Sequence, residues 1–153
     1  MKKILATLAL TTAIVMPGAA MARDITLTGI LKNYGGQGAY LAVYLTNANG
    51  AYVGTVWVGG GKSKYFSHFS HWYRATGGNT GNAMTGASVG AGRSFQISFS
   101  LADALIDAGY QLRIDAAVEN YRDAPSDIII PLTSDNFGTA NAGRRYVRSV
   151  FLQ

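Results

Sequence analysis

Residues 39–58 read AYLAVYLTNANGAYVGTVWV: two runs of β-branched and aromatic residues on either side of Asn47-Ala48-Asn49-Gly50. Such runs suit a pleated, half-buried backbone. An Asn-Gly pair between them supplies the positive φ that a tight turn requires. The stretch therefore predicts an antiparallel hairpin of Ala39–Asn47 and Ala51–Val58. The same period of two recurs along the chain. Asp24–Asn33 alternates Ile25, Leu27 and Gly29 with Thr26 and Thr28, and Ser94–Ser100 sets Phe95, Ile97 and Phe99 on one face. Tyr110–Glu119 does the same with Leu112, Ile114, Ala116 and Val118. Asp127–Leu132 is short and carries Pro131, which fits an edge or a strand end. Arg144–Leu152 closes the chain. About seven strands separated by Gly/Asn turns predict an all-β, antiparallel two-sheet sandwich.

Two segments interrupt the alternation. In Lys62–Tyr73 (KSKYFSHFSHWY) the residues Tyr65, Phe69 and Trp72 fall at i, i+4 and i+7, the stripe of one short helix packed on the sheets. Arg74–Arg93 then holds six glycines and no acid. It reads as a long loop, and loops of that length in compact domains tend to be functional or mobile.

The chain has 153 residues, 48% hydrophobic and only 14% charged, which places it among folded domains rather than disordered chains. Its start is a leader in form: Met1-Lys2-Lys3, an apolar run from Ile4 to Met16, a Pro17-Gly18 break, and small residues at Ala20-Met21-Ala22. The apolar run falls short of the roughly 20 residues a membrane span needs. The expectation is a signal peptide over 1–22, cleaved after Ala22, and a single exported domain over 23–153 that does not span the membrane. With no cysteine, that domain has to stand on its core alone.

Without Lys2 and Lys3 the net charge of +5 falls to +3. No acid occurs between Ile25 and Ala102, against Lys32, Lys62, Lys64, Arg74 and Arg93. That half of the chain is suited to attract an anion such as a phosphate or a lipid headgroup. Nucleic acid is excluded as a partner, because there is no run of Lys and Arg and an exported domain seldom meets it.

Candidate chemistry is sparse. Gly59-Gly60-Gly61-Lys62-Ser63 lacks the first glycine of a phosphate-binding loop, where Val56 stands, and reads as a strand-to-helix turn. His68 and His71, the only histidines, would sit about 60° apart on one helix, within reach of a metal or a haem propionate. No carboxylate lies nearby in the sequence, and Lys64 shares their arc. No G-x-S-x-G occurs, so hydrolase chemistry has no support. Asp103 with Asp107, and Asp123, Ser126 and Asp127, read as turn-capping groups, too few for calcium.

Asn82-Ala83-Met84-Thr85-Gly86-Ala87-Ser88 resembles the acceptor motif of extracytoplasmic proteins that carry covalent FMN. In that motif an acid is followed three positions on by Ser/Thr-Gly-Ala-Thr/Ser. The resemblance implies Ser88 as the phosphodiester acceptor and Thr85, Gly86 and Ala87 as the template, with Asn82 departing from the usual Asp. As a whole, AYLAVYLTNANGAYVGTVWV, GKSKYFSHFSHWYRATG, NAMTGASVGAG, YQLRIDAAVENYRD and SDIIIPLT resemble, in that order, the predicted periplasmic proteins of domain-of-unknown-function family 2271 (DUF2271). That resemblance implies a periplasmic, immunoglobulin-like sandwich associated with PepSY-type inner-membrane proteins and flavin transfer. The favoured expectation is a non-enzymatic accessory or binding protein beside a membrane redox or iron-uptake system. Its interaction surface would be Lys62, Lys64, Trp72, Tyr73 and Arg74, with Trp72 and Tyr73 as anchors. The alternatives are an electron carrier with FMN on the Thr85–Ser88 loop, and a metal or haem binder through His68 and His71.

Overall fold

The computed structural model describes residues 21–153, together with Thr7–Leu8 and Ala13–Ile14. Most of the leader segment lies outside the described residues, so cleavage there has no structural counterpart. Ala22 itself is the first residue of a strand, opposite Ala102.

In chain order the strands are β1 (Thr7–Leu8), β2 (Ala13–Ile14), β3 (Ala22–Leu31), β4 (Tyr40–Thr46), β5 (Tyr52–Gly59), β6 (Met84–Gly86), β7 (Ser94–Ala102), β8 (Gln111–Ala117), β9 (Ala124–Pro131), β10 (Ala140–Ala142) and β11 (Val147–Leu152). One sheet runs β1-β7-β3-β11-β10, with β2 also against β7, and the other runs β6-β5-β4-β8-β9. The main ladders are antiparallel, whereas β1, β2 and β6 pair in parallel with their neighbours. All seven strands read from the sequence are present, and they form the expected two-sheet sandwich.

The sequence pattern explains the layers. Ile25, Leu27 and Leu31 of β3 and Phe95, Ile97, Phe99 and Leu101 of β7 point inward from the first sheet. They meet Leu41, Val43, Leu45, Trp57, Leu112 and Ile114 of the second. Each fully buried side chain of this size is worth roughly 1.5–3 kcal/mol, which is how a chain without disulfides holds together. Trp57 stacks on Phe95 across the core, centroids 6.2 Å apart and planes 9° from parallel. Gly59 is required beside that stack, since a Cβ there would fall 2.2 Å from the Trp57 ring. The β4–β5 turn forms as Asn-Gly predicts: Gly50 adopts φ 80°, and Asn47 Oδ1 accepts from the amides of Asn49 and Ala51.

The second sheet is covered on both faces. Its outer side carries a separate apolar cluster in which Ala42, Tyr44, Val58 and Ala117 meet Phe66, Phe69 and Trp72. Those three aromatics come from Lys62–Tyr73, and here the single expected helix is corrected. The segment folds as a 3-10 helix over Ser63–His68 followed by α1 over Ser70–Thr76, broken at Phe69 (φ −81°, ψ 73°). Phe66 of the 3-10 helix, Phe69 at the break and Trp72 of α1 form the buried stripe, and Tyr65 lies outside it. The Arg74–Arg93 loop is corrected too. Residues 84–86 form β6 along Trp57–Gly59, and Val89 bridges to Ala39.

Candidate functional site

One buried carboxylate docks the helical layer on the sheet. Asp115 lies on β8, at the phase opposite the inward residues Leu112, Ile114 and Ala116, and is fully buried. Its Oδ1 accepts from the Tyr44 hydroxyl at 2.8 Å and the Ser126 amide at 2.7 Å, and its Oδ2 accepts from the Trp72 amide at 2.9 Å. The Trp72 indole N–H donates to Thr55 Oγ1 at 2.9 Å. Tyr40 pins the start of the same layer, its phenol oxygen accepting from the Lys62 amide at 3.1 Å.

Docked in this way, the 3-10 helix walls a cleft of about 540 Å³. Lys62, Tyr65 and His68 line it from the helical layer, Tyr40 and Gly38 from β4 and the chain before it, and Ser88 from the segment after β6. Ala117 at the end of β8, with residues 118–121 and Asp123 between β8 and β9, completes the wall. Tyr40 and Tyr65 meet edge to face, centroids 5.9 Å apart. His68 Nδ1 lies 3.0 Å from Asp123 Oδ2, joining residues 55 positions apart. The cleft thus offers one lysine, an imidazole–carboxylate pair, the further carboxylate of Glu119, a serine hydroxyl and three tyrosine rings, among them Tyr121. Its volume fits one small-molecule ligand.

Tyr121 continues into an aromatic cluster behind the cleft, edge to face with Tyr34, which in turn packs against Tyr146 at 5.1 Å. Burial first, then the neighbouring Tyr146 and Tyr121, push the Tyr34 phenol up to about 12. Burial also raises Tyr146, and burial together with Asp115 raises Tyr44. Unfolded phenols ionise near pH 10, so between that pH and about 12 the unfolded chain holds fewer protons than the folded one. Stability is then fully present below about pH 10 and falls as the pH climbs toward 12. Urea midpoints measured from pH 9 to 11.5 are expected to decline, with a shallower decline for Tyr34→Phe. A flat profile would contradict the burial of these hydroxyls.

The sequence-derived residues divide. Lys62, His68 and Ser88 converge on the cleft. Thr85 and Gly86 belong to β6, with Thr85, Ala87 and Ser88 exposed. His68 and His71 lie on different helical segments and have different partners: His68 Nδ1 pairs with Asp123, whereas His71, which does not line the cleft, has Nδ1 2.8 Å from Ser126 Oγ. Among the described residues no three His, Cys, Asp or Glu side chains are grouped to hold a metal. Trp72 is not a surface anchor; it is fully buried in the outer cluster with Phe66 and Phe69. Lys62, Lys64 and Arg74 are exposed as expected, and Tyr73 is 38% exposed.

The acids act as caps, often across the fold. Asp127 accepts from the amides of Arg145, Tyr146 and Val147. The amide and hydroxyl of Ser134 hold the Asp107 carboxyl below the usual range. Asp103 pairs with Arg23 at 2.7 Å. Sequence reading missed Asp115, Tyr40, Tyr121 and the His68–Asp123 pair as parts of the site. Only the tyrosine content of those segments offered a signal.

Among the described residues, no helix is long and apolar enough to cross a membrane. No curated protein and no solved structure matches the chain. A family model does, over residues 22–149, and by that match the chain belongs to DUF2271, the family described as predicted periplasmic proteins.

Proposed function

We propose that the protein is a non-enzymatic periplasmic accessory protein that binds a small, planar, polar ligand in the cleft between the 3-10 helix and residues 117–123. The observation that carries this reading is the convergence of four separate chain segments on one cavity with three tyrosine rings, Lys62 and Ser88 on its walls. Aromatic walls take up a planar ligand at little cost in order, and a lysine at the mouth orients an anionic group. Lys64, Tyr73 and Arg74, exposed on the helical layer, are the surface offered to a PepSY-type membrane partner of a redox or iron-uptake system. Native mass spectrometry of protein taken from the periplasm is expected to show a retained small molecule that Tyr40→Ala with Tyr65→Ala releases. A mass equal to the bare chain for the unsubstituted protein would overturn the reading.

A second reading is favoured by the place of Ser88, exposed and on the cleft wall together with Lys62 and the tyrosines. The donor set fits FMN: a hydroxyl able to carry a phosphodiester, a cation for its phosphate, and rings to flank the flavin. Bound there, FMN would supply one- and two-electron redox chemistry, with Lys62 orienting the phosphate and Tyr40, Tyr65 and Tyr121 shielding the ring system from water. Co-production with a flavin transferase is then expected to add the mass of one FMN less one water, as the phosphodiester requires, and a yellow colour. Ser88→Ala should abolish both, and an unmodified mass under those conditions would remove this reading.

A further inference from the structure

The outer edge of β7 stands apart from the other sheet edges. β6 and β10 are three residues long, and short edge strands resist pairing with other chains. β9 carries Pro125 and Pro131, and Arg144 donates to the carbonyls of Pro125 and Ser126 along it. β7, by contrast, has nine residues, SFQISFSLA, with no charge and no proline. Its ladder with β3 runs from Ser94 to Ala102 without a bulge. On its other side, among the described residues, it meets β1 and β2: Thr7 and Leu8 pair with Gln96 and Ile97, and Ala13 and Ile14 with Ser100 and Leu101. Those four leader residues show that this edge accepts a strand, and they lie within the 1–22 segment expected to be removed.

We infer that in the chain lacking residues 1–22 the β7 edge pairs antiparallel with β7 of a second copy, joining two sandwiches through one continuous sheet. The ends of the strand favour a second copy over an unrelated strand. Arg93 precedes β7 and Asp103 follows it. Centring the pair on Ser98 sets Arg93 opposite Asp103 of the second copy, twice by symmetry. The same register puts Phe95 opposite Leu101 and Ile97 opposite Phe99, so the inward faces match. Gln96 falls opposite Ser100, and no like charges meet. A two-fold interface needs this self-complementarity, and opposite charges at the strand ends fix the register. Asp103 would then be shared between Arg23 of its own chain and Arg93 of the other. The leader and a second copy would compete for one edge, so assembly would wait for processing.

The inference rests on the leader reading for its timing, and residues 23–153 produced directly separate the two questions. That chain keeps the whole sandwich core, which begins at Ile25. Light scattering on it is expected to give a dimer that dissociates on dilution, and Arg93→Glu should raise the dissociation concentration at least tenfold with an unchanged circular dichroism spectrum. The chain has no cysteine, so Ser98→Cys reports the register directly: it should oxidise to a covalent dimer, whereas Ser149→Cys, in the middle of the sheet, should not. A monomer at every concentration, or cross-linking of Ser98→Cys no faster than of Ser149→Cys, would overturn the proposal. Failure of the leader to be cleaved in cells would leave these results unchanged and would cancel only the timing.

Discussion

Replacing Asp115 with alanine is expected to be among the most damaging single changes in the molecule, costing about 3 kcal/mol or more. The substitution strands the Tyr44 hydroxyl and the amides of Trp72 and Ser126, and each orphaned buried donor costs roughly 1–3 kcal/mol. Against a total stability of about 5–15 kcal/mol for a domain, that is a large share. Asp115→Asn keeps the size and one acceptor oxygen but turns an N–H₂ toward a donor, so an intermediate loss is expected. Urea unfolding of the three chains gives the order directly. An alanine chain within about 0.5 kcal/mol of the parent, the range of an ordinary surface substitution, would show that Asp115 does not dock the helical layer.

Trp72→Ala is expected to match it, at about 3–5 kcal/mol for emptying a buried aromatic site. The indole packs edge to face on Phe66 and Phe69, at 5.9 and 5.7 Å, and its N–H is bonded to Thr55. The three rings form most of the contact between the helical layer and the sheet. Losing one should loosen the wall that carries Lys62, Tyr65 and His68 while leaving the inner core intact. The expected signature is a lower urea midpoint together with faster hydrogen exchange confined to residues 62–76. Because Asp115 holds the Trp72 backbone, the double variant should lose less than the sum of the singles. Strict additivity would mean that the two act on separate structures.

The strands were legible because one face of each is buried and the period of two survives. The second sheet departs from this: Leu41–Thr46 of β4, Thr55–Gly59 of β5 and Ile114–Ala117 of β8 are buried without a break, since the helical layer covers the face that would otherwise meet water. The same cover hid Asp115. Its alternating phase marks it as a solvent-side residue, and only a third layer, supplied from far along the chain, makes that side an interior. The helical stripe was misread for a different reason. Tyr65, Phe69 and Trp72 fit an α repeat and Phe66, Phe69 and Trp72 a 3-10 repeat, and apolar spacing alone favours neither. β6 has three residues and no alternation to read. Of the candidate site, Lys62, His68 and Ser88 could be named one by one, but their meeting with Tyr40, Tyr121 and Asp123 depends on contacts across the fold.

The place of β3 in its sheet has a consequence for how the chain reaches its final form. β3, the first long strand, lies between β7 and β11, and Thr26 exchanges both main-chain bonds with Gln153. Its neighbours in space are thus some 70 and 120 positions away along the chain. Contacts so distant close slowly, because long loops must lose their freedom before any pairing rewards it. The β4–β5 hairpin can form early and locally, whereas the first sheet stays open until the last residues arrive. A chain emerging from its N-terminus would therefore keep one flank of β3 open until Val147–Leu152 are out, and its two-sheet core would close only with the last residues.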